Sequence, residues 1–171
     1  TINGVTATDA SCFLGSDGTI TVTASGGTPD LVYRVLQDPS NTSGQATGIF
    51  TNVRAGTFTI NIRDANNCSV VTNPVIVGQP PQLTVSAAVA SDYNGYGVSC
   101  ENASDGIVQA TVNGGTGPVF TYTISPDPAN VGSNTTGTFT NLPTGFYTVS
   151  VSDNNGCPAT AIPILVNEPF T

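Results

Sequence analysis

Thr19-Ile20-Thr21-Val22-Thr23-Ala24 is the stretch that decides the fold class of this chain. Apolar residues alternate in it with threonine, and Thr57-Phe58-Thr59-Ile60-Asn61-Ile62 shows the same alternation. Successive side chains of a strand point to opposite faces, so a period of two predicts strands with one buried and one exposed face. Antiparallel sheets have this pattern. The side chains expected to point inward are Ile20, Val22, Phe58, Ile60 and Ile62.

The chain is an internal duplication. Many unlike residue types recur at an offset of 88, which becomes 89 after Tyr33 and Tyr122. Coincidence would not preserve the register over so many residue types. The equivalent pairs include Cys12 and Cys100, Asp17 and Asp105, Asp64 and Asp153, Cys68 and Cys157, and Pro80 and Pro169. We therefore divide the chain into repeat 1, residues 1–80, and repeat 2, residues 81–171.

Each repeat contains short β-rich runs separated by turn residues. In repeat 1 these runs are 5–8, 19–25, 31–36, 49–53, 57–63 and 70–77. Six or seven such strands in about 85 residues are typical of an immunoglobulin-like sandwich. The sequence thus predicts an all-β chain of two tandem immunoglobulin-like antiparallel β-sandwich domains, without a helix longer than one turn. The proline-containing segment 78–82 predicts a short, rigid linker and an end-to-end arrangement.

The composition excludes most catalytic chemistry. The 171 residues include no His and no Lys, and three Arg stand against eleven Asp and Glu, for a net charge of -8. Ser–His or Cys–His dyads, Schiff bases and imidazole metal sites are therefore ruled out. Nucleic acid is a poor partner for so few cations. No apolar run approaches the roughly 18 residues of a membrane span. We expect no enzyme, no cofactor, no nucleic-acid partner and no membrane insertion.

Four cysteines in two repeats indicate a disulfide-bonded protein from an oxidising, extracellular compartment. Four cysteines allow three connectivities, and the symmetry between the repeats favours Cys12 with Cys68 and Cys100 with Cys157. A zinc site is the competing interpretation. It would need CxxC spacing or His ligands, and the sequence has neither.

The segments 64–68 and 153–157 each follow an alternating strand and are rich in Asp, Asn and Gly, which predicts hairpin turns. Calcium binding is the alternative, because these side chains carry oxygen donors. Its candidate ligands are Asp17, Asp64, Asp105 and Asp153, to which Asp92 and Glu101 could add. No loop has EF-hand spacing, so the sequence favours turns over a calcium site.

Two groups of aromatic residues have different predicted roles. Those at equivalent places in both repeats are expected in the cores, namely Tyr33, Phe50, Phe58, Tyr122, Phe139 and Tyr147. Tyr93 and Tyr96 have no counterpart in repeat 1 and are candidates for contact with a sugar or a neighbouring subunit, against the alternative of a plain connecting loop. Candidate glycosylation sites, each the first residue of an Asn-x-Ser/Thr triplet, are Asn41, Asn67, Asn102 and Asn134.

These motifs resemble the tandem repeats of SprB-like gliding-motility adhesins and related giant surface proteins of Bacteroidota. The resemblance rests on a cysteine followed by an Asp-Gly pair and an alternating strand, then Gly-Gly-Thr, then Asn-Leu-Pro-x-Gly-x-Tyr at 141–147 and Val-Ser-Asp-Asn-Asn-Gly-Cys at 151–157. Repeat 1 departs from it at 52–58 and by Asn67 in place of the turn glycine. The resemblance implies secretion to the cell surface, through the type IX system, and a structural or adhesive role without catalysis.

Three functions follow as hypotheses. The first is a non-catalytic structural unit of an extracellular cell-surface fibre or adhesin stalk that assembles head to tail. Its partners would be other copies in a homopolymer or neighbouring repeats of a larger chain. The second is a carbohydrate-binding adhesin with surface glycans as partners. The third is an accessory sandwich of a secreted enzyme, for which Asp17 and Asp64 would be the acid pair.

Charge and chain ends add to the first hypothesis. All three Arg lie in repeat 1, which has a net charge of -2, whereas repeat 2 has -6. This asymmetry lets repeat 1 approach repeat 2 of another copy with less repulsion than two acidic ends would meet. Residues 166–169 match the start of the internal linker, so we expect this chain to be one link of a longer array.

Overall fold

The computed structural model describes residues 1–37 and 43–170. Contacts divide the chain into two compact units, Thr1–Pro80 and Pro81–Thr171. All regular secondary structure in the described residues is β-strand, which confirms the all-β fold class. No described segment forms a helix of the length and apolarity that a bilayer crossing requires.

The described residues of the first unit form β1 (Ile2–Thr8), β2 (Gly18–Ala24), β3 (Val32–Val35), β4 (Ile49–Val53), β5 (Gly56–Phe58), β6 (Ile60–Arg63), β7 (Ser69–Val71) and β8 (Val75–Val77). One antiparallel sheet has the order β1-β2-β4, a second has the order β3-β6-β7, and β5 pairs with β8. The sheets face each other across one core, as in a sandwich.

Residue alternation places the core of the first unit between its sheets. Ile20 and Val22 of β2 are buried, and so are Ile60 and Ile62 of β6 on the facing sheet. Thr21 and Asn61, the residues between them, have greater solvent exposure. The inward orientation predicted for these side chains is therefore confirmed. The remaining buried members of this core are Tyr33, Val35, Phe50, Val53, Phe58 and Val77.

The second unit has β9 (Thr84–Val89), β10 (Gly106–Asn113), β11 (Thr121–Ser125), β12 (Ser133–Asn134), β13 (Thr138–Leu142), β14 (Gly145–Ser152), β15 (Pro158–Thr160) and β16 (Ile164–Val166). One sheet has the order β13-β10-β9 and the other β12-β11-β14-β15, while β16 also pairs with β14. Its core contains the aromatic side chains of Tyr122, Phe139 and Tyr147. All six aromatic residues predicted to be core are buried.

Two predicted strands are each interrupted in the first unit. The run 57–63 breaks at Thr59, whose backbone N–H donates to the Gln37 side-chain oxygen at 2.7 Å. Gln37 returns a hydrogen bond from its amide nitrogen to the Thr59 hydroxyl at 2.7 Å. The run 70–77 breaks before β8 at Asn73 and Pro74, because proline has no N–H for the ladder.

The two ends of each sandwich carry different loops. In the first unit the turn 64–68 lies beside Thr28, whose N–H donates to the Asp64 carboxylate at 3.0 Å. The loop 9–17 follows the other end of β1, where Ala10 donates its N–H to the carbonyl of Gly78 at 2.9 Å. We call these the turn end and the loop end. The second unit has the same turn end at 153–157 and a loop end at 90–105.

Candidate functional site

The cysteines lie at opposite ends of each unit. Cys12 is in the loop after β1, and the N–H of nearby Leu14 donates to the Gln79 side chain at 2.8 Å, at the loop end. Cys68 closes the turn that begins with Asp64, at the turn end. Strand β1 has seven residues between these ends, a rise of roughly 20 Å. Cys100 and Cys157 lie at the corresponding opposite ends.

This placement overturns the predicted pairing of Cys12 with Cys68 and of Cys100 with Cys157. A disulfide needs a Cα–Cα separation of about 4.4–6.8 Å, far less than the length of a sandwich. Cys68 and Cys100 are exposed free thiols. Cys12 and Cys157 are disulfide-bonded. The protein therefore contains a disulfide, as expected, but the predicted pairing within each repeat is wrong.

The two turns are built around one aspartate each. Asp153 accepts hydrogen bonds from the backbone N–H groups of Thr116 at 2.8 Å, Asn155 at 3.0 Å and Cys157 at 2.9 Å. Asp64 accepts the equivalent three from Thr28, Asn66 and Cys68. These carboxylates organise the backbone that presents Cys68 and Cys157.

The same contacts set the pKa values of both carboxyl groups. The N–H of Thr28 makes the largest contribution to lowering the pKa of Asp64. Burial opposes the charged form of Asp153, which is 7% exposed, yet its backbone hydrogen bonds outweigh that effect and lower its pKa. Both groups are therefore stabilised as carboxylates.

Both segments are hairpin turns, as predicted, and left-handed backbone closes each of them. The residue before the cysteine is Asn67 in repeat 1, with φ of 65°, and Gly156 in repeat 2, with φ of 80°. Asparagine is the non-glycine residue that tolerates this region best. The replacement of glycine by asparagine in repeat 1 therefore leaves the turn intact.

A second pair of aspartates supports the loop ends. Asp17 accepts the backbone N–H of Ser11 at 2.9 Å, and Asp105 accepts that of Ser99 at 3.0 Å. Hydrogen bonding from the side chain of the same serine is the largest cause that lowers the pKa of each carboxyl group. Each serine precedes a cysteine, so these carboxylates fix the loops that carry Cys12 and Cys100.

The four predicted calcium ligands do not converge. Asp17 and Asp64 lie at opposite ends of the first unit, and Asp105 and Asp153 at opposite ends of the second. Within residues 1–37 and 43–170, no three His, Cys, Asp or Glu side chains group as a metal site would require. The aspartates use their oxygens on backbone N–H groups instead. Asp92 likewise accepts the N–H of Gly95 at 2.7 Å.

Tyr93 and Tyr96 face each other across a tight turn at the loop end of the second unit. Their backbones pair as an isolated bridge, with N–O distances of 2.9 and 3.3 Å. Tyr93 is 38% exposed. Its pKa is raised by partial burial and by a hydrogen bond with the Asp105 carboxylate. The Tyr93 side chain therefore supports the Asp105 loop, and contact of either tyrosine with a ligand stays a prediction.

The candidate glycosylation residues differ in their surroundings. Asn67 and Asn102 are exposed and have left-handed backbone. The Asn134 side chain is already engaged, since its oxygen accepts the N–H of Gly137 at 2.8 Å and its amide donates to Thr138. Asn41 lies outside the described residues. Modification of any of the four stays a prediction.

An apolar pocket at the turn end of the first unit is a feature that the sequence analysis did not anticipate. It measures about 180 Å³, and its lining includes Leu31, Ile62, Val70 and Cys68. Gly27 also lines this pocket, and its counterpart in the second unit is Gly115. There, Leu83 packs against the glycine, since a Cβ on Gly115 would lie 2.7 Å from the Leu83 Cδ1 atom. The linker sequence Pro-Pro-Gln-Leu is the only signal that could have pointed to this pocket.

Two of the three arginines share one surface of the first unit. Arg34 of β3 and Arg63 of β6 line a groove of about 190 Å³ together with Val32 and Asn61. Strands β3 and β6 are neighbours, with Arg34 opposite Asn61 and Arg63 opposite Val32. The positive charge of this acidic protein is therefore concentrated on the outer face of one sheet.

Comparison with known proteins finds a similarity to the SprB repeat in both units. The family model matches residues 4–34 and 98–129, equivalent portions of the two units. Each matched stretch includes one loop-end cysteine and the double glycine. The resemblance to SprB-like repeats is thus confirmed. No curated protein matches the chain.

Several solved structures match this chain at low identity. One is a C-terminal 282-residue intimin fragment in complex with the intimin-binding domain of the translocated intimin receptor, with 21% identity, a TM-score of 0.46, and coverage of 98% of this chain and 64% of the fragment. Fibronectin(III)-like modules of CbhA from Clostridium thermocellum match with 16% identity, a TM-score of 0.36, and 96% and 95% coverage. Domains 4–9 of the surface layer protein SbsC match with 15% identity, a TM-score of 0.37, and 99% and 31% coverage. The chain spans less than two thirds of the intimin fragment.

Proposed function

We propose that this chain is a non-catalytic structural unit of a cell-surface fibre or adhesin stalk in which repeats follow one another head to tail. The match of the SprB repeat model to a stretch of each unit supports this proposal. The observation that carries this proposal is the different chemistry of the two ends of each unit. The turn end presents a hairpin turn, and the loop end presents the loop between β1 and β2, which contacts the linker through Leu14 and Gln79. A unit with two unlike ends can be joined to further units one after another, always in the same orientation.

The side chains of the units are used for structure. The aspartates at both ends hold backbone N–H groups, and the aromatic pairs fill the cores. An enzyme of the glycosidase type needs two carboxyl groups about 5–9.5 Å apart. Asp17 and Asp64 are separated by the length of β1, so this pair supports the enzyme hypothesis poorly.

Solution mass tests the self-assembling form of this proposal. The intact 171-residue chain, kept reduced, is studied by light scattering and negative-stain microscopy over a wide range of concentrations. We expect mass to rise with concentration and short linear particles to form. A chain that remains a monodisperse monomer at the highest concentration would leave only covalent tandem linkage within a larger polypeptide.

Carbohydrate binding is the second candidate, favoured by the exposed side chain of Tyr93 in a turn that repeat 1 lacks. Aromatic faces that reach solvent can stack on sugar rings. A glycan array should then show binding that Tyr93→Ala removes. Tyr33→Phe, which alters a core tyrosine, serves as the matched control. An array without any bound glycan would end this candidate.

A further inference from the structure

The two free thiols lie at the ends of their units. Cys68 is at the turn end of the first unit and Cys100 at the loop end of the second, and both are exposed. Neither can reach the other cysteine of its own unit, as shown above. We propose that Cys68 of one copy of this chain forms a disulfide with Cys100 of another copy and so links copies covalently head to tail. This inference deepens the proposed function and rests on it.

The equivalent cysteines show that both positions form disulfides in this fold. Cys12, at the position of Cys100, and Cys157, at the position of Cys68, are disulfide-bonded. The local surroundings match as well. The hydroxyl of the preceding serine lies 3.9 Å from the sulfur of Cys12 and 3.8 Å from that of Cys100. The aspartate that holds the turn accepts the N–H of Cys68 and that of Cys157 at 2.9 Å in both cases.

Apolar surfaces beside the thiols complement each other. The pocket of Leu31, Ile62 and Val70 borders Cys68. Phe170 is 95% exposed and lies near the loop end of the second unit, because Glu168 accepts the N–H of Asn102 at 3.0 Å. In repeat 2 the corresponding place is filled by Leu83 from the segment just after the linker. Phe170 of a second copy is thus the occupant that we assign to the pocket.

The bond can form by thiol–disulfide exchange with a small disulfide such as oxidised glutathione. The thiolate of one cysteine attacks that disulfide, forms a mixed disulfide and expels one glutathione thiolate. The cysteine of the second copy then attacks the protein sulfur of the mixed disulfide and expels the other. Two protein thiols are oxidised to one disulfide, and one glutathione disulfide is reduced to two thiols that take up the two protons.

A mixing experiment with single-thiol variants tests the proposal. Cys68→Ser retains Cys100, and Cys100→Ser retains Cys68. Each variant, alone and in an equimolar mixture, is incubated with oxidised glutathione and analysed on non-reducing gels. We expect the mixture to yield at least tenfold more covalent dimer than either variant alone. Peptide mapping of the dimer should identify a bond between Cys68 and Cys100. The unaltered chain should give a ladder, and the double variant should remain monomeric.

The apolar contact has its own test. Phe170→Asp retains both thiols and should slow formation of the mixed dimer at least threefold. Equal dimer yield in the mixture and in the separate variants, or glutathione capping of both thiols without any dimer, would overturn the proposal. A map showing Cys12 bonded to Cys68 would do so too. If the reduced chain still associates in light scattering while no Cys68–Cys100 bond forms, the disulfide inference fails and the proposed function stands.

Discussion

Aspartate is the residue on which both ends of the sandwich depend. Asp64 and Asp153 each accept hydrogen bonds from three backbone N–H groups, two of them in the turn itself. Asp17 and Asp105 each accept the N–H of a serine that precedes a cysteine. These contacts explain why eleven acidic residues can be present with so few bases. Several carboxylates find their partners in the backbone instead of in Lys or Arg side chains.

Replacement of Asp153 by asparagine should weaken the second unit in a pH-dependent way. The folded-state pKa is lowered, so its stabilisation is complete above about pH 4 and is lost as pH falls through the folded pKa. We expect Asp153→Asn to cost about 1.5 kcal/mol at pH 7, at the lower end for a hydrogen bond to a charged group. The difference from the unaltered chain should shrink toward pH 3. Thermal unfolding followed by circular dichroism measures it.

Asp30 offers the matched control, because it is an exposed aspartate of repeat 1. Asp30→Asn removes the same charge without removing a turn. A loss of stability as large as that of Asp153→Asn would show that net charge, and not the turn, is responsible.

Thr72 makes the second residue-scale prediction. Its buried hydroxyl accepts the N–H of Ile60 at 3.0 Å. Thr72→Val keeps the shape but leaves that N–H without its acceptor, which should cost about 1–3 kcal/mol. Hydrogen exchange measured by mass spectrometry on peptides of β6 should become faster. Thr72→Ser keeps the hydroxyl and should protect Ile60 nearly as well as threonine does.

At the scale of elements, the alternating pattern was sufficient to predict most strands and the residues they bury. Strand interruptions were not predictable from it. The break at Thr59 comes from Gln37, which binds the Thr59 N–H, whereas the equivalent residue of repeat 2 is Pro126 and β14 continues unbroken. A side chain distant in sequence decides the break, so a local pattern cannot reveal it.

A glycine before β4 supports the pairing of β2 with β4. The carbonyl of Gly48 accepts the N–H of Val22 at 2.7 Å, and a Cβ on Gly48 would overlap the Val22 carbonyl oxygen. Gly48→Ala should therefore force these strands apart and cost about 1–3 kcal/mol, as overpacking does. Urea unfolding measures the loss.

Gly4→Ala in the neighbouring strand is the control for that change. Its added Cβ would meet only the Thr23 side-chain oxygen, at 3.3 Å. If the two variants were equally stable, close approach of the strands at Gly48 would not be the cause.

The cysteine sites show where prediction from sequence failed. Symmetry between the repeats was compatible with pairing inside each repeat and with pairing to another repeat. The course of β1 excludes pairing inside a repeat, because it separates Cys12 from the turn that holds Cys68. The sequence was sufficient to identify the cysteines, but their pairing could be judged only from their positions in three dimensions.

At the scale of the whole molecule, charge opposes association of copies. Repeat 1 has a net charge of -2 and repeat 2 of -6, so both partners of a head-to-tail contact carry net negative charge. Salt screens such repulsion, with a Debye length of about 8 Å at 0.15 M. Association of the reduced chain should therefore strengthen between 10 mM and 150 mM NaCl, as light scattering can record. Weaker association in salt would indicate that attraction between Arg34 or Arg63 and acidic groups dominates.

The course of β1 also determines how a unit responds to pulling. Thr1 is at the turn end and Gly78 at the loop end, so tension along the chain acts parallel to β1 and β2. Antiparallel ladder bonds lie perpendicular to their strands and are therefore loaded in shear. The pairs from Gly4 with Thr23 to Thr8 with Thr19 share this load and must fail together, instead of opening one after another as in a zipper. A repeat stretched by drag at a cell surface would in this way resist force through its first strand.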